Sequence, residues 1–61
     1  MKTKQQVEER LELLKTKLYD TKQKQKLIND ERGQELFNNI REQSFLRTEI
    51  MMLEWVLSED N

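Results

Sequence analysis

Apolar residues recur along this chain at alternating steps of four and three. Val7, Leu11, Leu14, Leu18 and Ile28 follow that rhythm in the first half, with Thr21 and Gln25 at the two remaining places. Leu36, Leu46, Ile50, Leu53 and Leu57 follow it in the second half, where Asn39 and Gln43 are the polar members. Steps of four and three keep side chains on one face of an α-helix and make the seven-residue repeat of a coiled-coil seam. No stretch alternates with period two, so no strand is predicted. Proline is absent, and Leu, Glu, Lys, Gln and Arg dominate the composition. All of these are good helix formers. The class predicted is all-α.

The segment Thr3-x-x-Gln6 fits a capping box and starts the first helix, which is expected over about residues 3–30. Asn29-Asp30-Glu31-Arg32-Gly33 reads as a turn, about 29–33, because Asn and Asp favour turns. Gly33, the one glycine, can take the left-handed conformation that closes a helix. A second helix is expected over about 34–58, so residues 1–61 form one helical-hairpin domain. If the chain reverses about Arg32, the facing pairs are Val7/Leu57, Leu11/Leu53, Leu14/Ile50, Leu18/Leu46, Thr21/Gln43, Gln25/Asn39 and Ile28/Leu36. Apolar meets apolar throughout, and the two polar layers can satisfy each other by hydrogen bonds. A polar group facing leucine would instead cost about 1–3 kcal/mol. The rival architecture is one unbroken helix in an extended coiled coil; it must carry the seam through Arg32 and bear a glycine in its interior.

Charge sharpens the hairpin reading. Residues 1–32 hold nine Lys/Arg against six Asp/Glu, and residues 33–61 hold two against six. Opposite halves suit an antiparallel fold-back. On one flank Arg10, Lys17 and Lys24 accompany Glu35, Glu42 and Glu49, with Lys17 facing Glu49 and Lys24 facing Glu42. On the other flank Lys15 faces Arg47 and Glu8 faces Glu54. Like charges meet there, and that flank is expected to stay open.

The apolar content exceeds what such a hairpin can shelter. The stretch Ile50–Leu57 holds seven large apolar side chains and one charge, Glu54, in a chain whose mean hydropathy is −1.01. Ile50, Leu53 and Leu57 belong to the seam. Met51 and Trp55 lie to one side with Phe37, whereas Met52 and Val56 lie to the other with Phe45. Leu13, Tyr19 and Leu27 add to the surplus from the first helix. A helix apolar all round is normally a buried one. Chains this short usually need a disulfide, a metal or association to stay folded. With no cysteine and no histidine, association is what remains. The sequence therefore predicts a homodimer, two hairpins making a four-helix bundle. It also predicts that Phe37, Phe45, Met51, Met52, Trp55 and Val56 bind a partner protein, in an interaction or regulatory role.

Chemistry adds little. Ser44 and Ser58 have no histidine to activate them, and no glycine-rich loop is present to cradle a phosphate. The carboxylates Glu8-Glu9-Glu12, Asp30-Glu31 and Glu59-Asp60 read as solvated surface. The chain is expected to be no enzyme, with no cofactor, metal site or small-molecule substrate.

Nucleic-acid binding is the alternative. Five lysines lie between Lys15 and Lys26, and Lys15, Lys22 and Lys26 are the candidate phosphate contacts, since Lys17 and Lys24 have Glu partners. Such a dimer would be similar, in architecture alone, to the plasmid RNA-binding protein Rop; no motif is shared. The longest apolar run is four residues, 50–53, far short of the roughly 20 that span a bilayer. No signal-peptide pattern opens the sequence, so no membrane role and a cytoplasmic location are expected. A chain cut after Glu49 is expected to lose helicity and self-association together, as read by circular dichroism and sedimentation. A cooperative, concentration-independent melt of that fragment would contradict this reading of the C-terminal segment.

Overall fold

A computed structural model describes residues 3–29 and 31–59. The chain forms two helices, α1 (Lys4–Gln25) and α2 (Gly33–Glu59), which pack along their lengths as a hairpin. The result is a rod of 46 × 17 × 14 Å. It folds back and does not continue as one long helix.

The start of α1 is the capping box its sequence spells. The Gln6 N–H donates to Thr3 Oγ1 at 3.2 Å, and the Thr3 N–H donates to Gln6 Oε1 at 2.9 Å. Two of the donors that a helix start leaves unpaired are thereby satisfied. At the other end, α1 stops at Gln25, short of the 30 expected. The N–H groups of Lys26, Leu27 and Ile28 donate to carbonyls three residues back, at 3.0–3.2 Å, so the coil tightens before it ends. Asn29 then stops it: its side-chain Oδ1 accepts from the Glu31 N–H at 3.2 Å, and its carbonyl accepts from the Arg32 N–H at 2.9 Å. Asn competes well for such turn hydrogen bonds. Asp30, the other turn former, lies outside the described residues, as do Met1, Lys2, Asp60 and Asn61.

Gly33 departs from expectation. No described residue, glycine included, has a positive φ. The Asn29 turn completes the reversal, so no left-handed residue is required, and Gly33 is simply the first residue of α2. The Arg32 carbonyl just before it accepts from the Leu36 N–H at 3.0 Å, while Glu35 places negative charge in the first turn, where the helix dipole favours it.

The seam matches the sequence pattern. Leu11, Leu14, Leu46 and Ile50 form the buried apolar core, with Leu18, Leu53 and Leu57 packed against it. Val7, Ile28 and Leu36 are half-buried at the two ends of the seam. Toward the turn the core becomes polar: Thr21, Asn39 and Gln43 are buried, and Gln25 is half-buried. The layers satisfy each other by a route different from simple facing pairs. The Asn39 Nδ2 amide donates to the Thr21 backbone carbonyl at 3.0 Å. The Gln43 Nε2 amide donates to Gln25 Oε1 and to Asn39 Oδ1, both at 2.6 Å. The Thr21 hydroxyl turns back to the Lys17 carbonyl, 2.8 Å away on its own helix. Among the described residues, no buried side-chain nitrogen or oxygen lacks a partner.

Two substitutions separate these features. Nothing lies within 4 Å of a Cβ built on Gly33, and its φ suits any residue. Gly33→Ala should therefore stabilise the hairpin by about 0.4–1 kcal/mol, seen as a higher Tm; a lower Tm would mean that the position needs glycine. Gln43→Ala strands the Asn39 and Gln25 acceptors and should cost about 1–3 kcal/mol in denaturant titration. The exposed control Gln23→Ala should stay within about 0.5 kcal/mol of the parent.

Candidate interaction surface

With the seam closed, α2 still carries apolar side chains on the rest of its circumference. Phe37, Phe45, Met51, Met52, Trp55 and Val56, the six expected at a partner surface, are all exposed, Trp55 to 62%. Ile40 is exposed too. It belongs with them although it is not among the six. The signal was available: Ile40 stands three residues after Phe37, and it recurs at seven-residue spacing with Arg47 and Glu54 on one flank. On α1 the exposed large side chains are Leu13, Tyr19 and Leu27.

Ion pairs between the helices identify the two flanks. Arg10 Nη2 lies 3.9 Å from Glu49 Oε2, and Lys15 Nζ lies 4.0 Å from Glu54 Oε2. Both pairings are shifted by one heptad from those expected. Glu49 is met by Arg10 and not by Lys17, and Lys15 reaches Glu54 and not Arg47. Flank residues sit diagonally across the seam, so long side chains pair one repeat away from the residue directly opposite. Lys17 and Lys24, expected against Glu49 and Glu42, have no carboxylate within 4.0 Å among the described residues. The expectation that the second flank meets only like charges is therefore corrected at Lys15.

The hairpin thus has two unlike faces. One face carries the row Arg10, Lys17, Lys24 against the row Glu49, Glu42, Glu35, with Leu13, Met52 and Val56 beside them. Arg10, Glu49, Met52 and Leu53 line a small cleft there. The other face carries Lys15, Lys22 and Lys26 on the α1 side and Phe37, Ile40 and Met51 on the α2 side, with Trp55 at its outer edge. All three lysines are exposed. Lys26 is the C-cap residue of α1, its N–H bonded to the Gln23 carbonyl at 3.2 Å. Arg47 donates to Gln43 Oε1 at 3.4 Å. Among the described residues, Lys22, Lys26, Arg41 and Arg47 have no carboxylate within 4.0 Å.

A concavity lies on the outer side of α2 near the turn. It is an open trough of about 740 Å³ lined by Phe37, Ile40, Arg41, Ser44, Phe45 and Thr48. Asn38 and Glu42 complete the lining. One helix supplies every wall. A small molecule binds where it can bury most of its surface, which a trough with a single wall does not allow. A second helix would bring the missing wall itself.

Among the described residues, no three His, Cys, Asp or Glu side chains converge where a metal ion could sit. Among the same residues, no helix is long and apolar enough to cross a membrane. No protein-family model, curated protein or solved structure matches the chain.

Proposed function

We propose that this chain is a non-enzymatic interaction module of the cytoplasm: two hairpins pair as a four-helix bundle, and the dimer binds a partner protein through the apolar surface of α2 that remains. One observation carries the reading. Among the described residues, ten large hydrophobic side chains are exposed and only four hydrophobic residues are buried, and seven of those ten lie on α2. Exposed apolar patches of this extent mark interaction sites on stable proteins, and Trp and Met are enriched at such sites. The role is stoichiometric, occluding or bridging the partner.

Charge divides the two tasks. Self-association fits the face of Leu13, Met52 and Val56, where the Arg10–Glu49 flank already balances its own charge. Placing two copies of that face together sets no unbalanced row against its like. The face of Phe37 and Ile40 is left for another molecule.

Sedimentation or light scattering across concentrations, with Trp55 fluorescence recorded alongside, tests this. The expected result is a dimer at micromolar concentration, with Trp55 emission still red-shifted and quenchable. Met52→Glu should shift the sample toward monomer with helicity lost in proportion. A monomer that melts in one sharp, concentration-independent step would overturn the reading.

A further inference from the structure

We infer that a second copy of this chain covers the Arg10–Glu49 face with α1 of each molecule laid against α2 of the other, about a two-fold axis running along the helices. This rests on the reading of that face as the self-pairing surface and says which helices meet across it. The face carries two rows of opposite sign. Arg10, Lys17 and Lys24 recur by sevens on α1, and Glu35, Glu42 and Glu49 recur by sevens on α2. Arg10 and Glu49 are already joined at 3.9 Å, and Glu35 is held by Arg32 at 3.5 Å. Lys17 and Glu42, each one heptad nearer the turn, are exposed. Among the described residues, neither has an opposite charge within 4.0 Å, and Lys24 has none either. Beside the rows, Leu13 and Met52 are exposed.

Symmetry leaves two ways to lay this face on itself. A two-fold contact is isologous, so the same patch meets itself. Helices that stay nearly antiparallel, as in a bundle, put the axis either across them or along them. An axis across the helices sets α1 on α1 and α2 on α2. The basic row then meets its own image, and so does the acidic row. An axis along the helices moves nothing up or down the rod and exchanges one side for the other. Each basic row then lies against the other copy's acidic row, and Lys17 gains in Glu42 of the second copy the partner it lacks at home. Because the chain reverses about Arg32, Leu13 stands level with Met52 and comes over the Met52 of the second copy. Opposite rows favour this arrangement and like rows penalise the other, which is how charge selects orientation at an interface.

The test is a full chain with the rows exchanged, Arg10→Glu/Lys17→Glu/Glu42→Lys/Glu49→Lys. It keeps the net charge, and the ion pair between positions 10 and 49 survives with its ends reversed. Alone, it should dimerise as the parent does with the same circular dichroism, because each acidic row again meets a basic one. Mixed with the parent, it would set basic row on basic row. Energy transfer between donor-labelled parent and acceptor-labelled swapped chain should therefore show mixed dimers at least about tenfold disfavoured against the parent–parent control, a difference of about 1.4 kcal/mol. Salt at about 1 M screens exposed charges and should restore mixing. Should the fourfold variant fail to fold, Lys17→Glu/Glu42→Lys serves instead, since neither residue has an ion-pair partner in its own chain, and it should show the same avoidance more weakly. Random mixing at low salt overturns the inference. An excess of mixed dimers also overturns it, because only an axis across the helices rewards that pairing. Sedimentation of the parent keeps the two readings apart. Dimers that mix at random sink only this orientation, whereas a parent that stays monomeric sinks self-pairing itself, and the orientation with it, and leaves the face to another protein.

Discussion

The hairpin depends on the demand of two buried amides for partners on and across the seam. Gln43 is 4% exposed, and its amide nitrogen reaches Gln25 on α1 and Asn39 on its own helix. Asn39 reaches the Thr21 carbonyl. Leucine layers tolerate sliding, since one apolar neighbour replaces another. An amide slid by one heptad would face Leu18 or Ile28 and lose its acceptor, at about 1–3 kcal/mol for each stranded group. Polar residues at seam positions are well attested as devices that fix register at some expense in stability. Here they sit beside the turn, where the reversal is made, and the apolar layers beyond them then fall into step.

Register determines the flanks, and the flanks determine the faces. With the amides in place, Arg10 meets Glu49 and Lys15 meets Glu54. Exposed ion pairs contribute only about 0.2–1 kcal/mol each, so this distribution matters less for stability than for what each surface can touch. One face balances its own charge. The other keeps a surplus of cations around exposed aromatic and aliphatic side chains. A hairpin of few residues thereby presents two surfaces of different chemistry, while the four buried apolar residues among those described supply only a modest core.

Much of this was legible in the sequence, and the parts that were not share a physical cause. Side chains on the seam obey a strict period, so every seam position from Val7 to Leu57 was readable, including Thr21, Gln25, Asn39 and Gln43. The capping box at Thr3 and Gln6 is local and was equally plain. Gly33 was misassigned because a glycine in a turn region invites a left-handed conformation, whereas Asn29 supplies the turn with its own side chain. The ion pairs were displaced by one heptad because long flank side chains reach diagonally, and a scheme that pairs directly opposed residues has no place for that. Ile40 was left out of the apolar surface because its flank was judged by charge alone. The trough between Phe37 and Phe45 was not readable as such. Its shape depends on how neighbouring side chains on one helix lean apart, which periodicity does not describe.

The connection between the helices carries one more consequence. The described part of the connection is held by local hydrogen bonds at Asn29, whereas the buried contacts between the helices all belong to the seam. Two molecules that opened at the hinge could trade second helices and rebuild every buried contact with each other's halves. Such exchange of identical arms is a low-cost path to intertwined dimers. The molecule's handling history, freezing or storage at high concentration included, would then leave a lasting imprint on how its copies are joined.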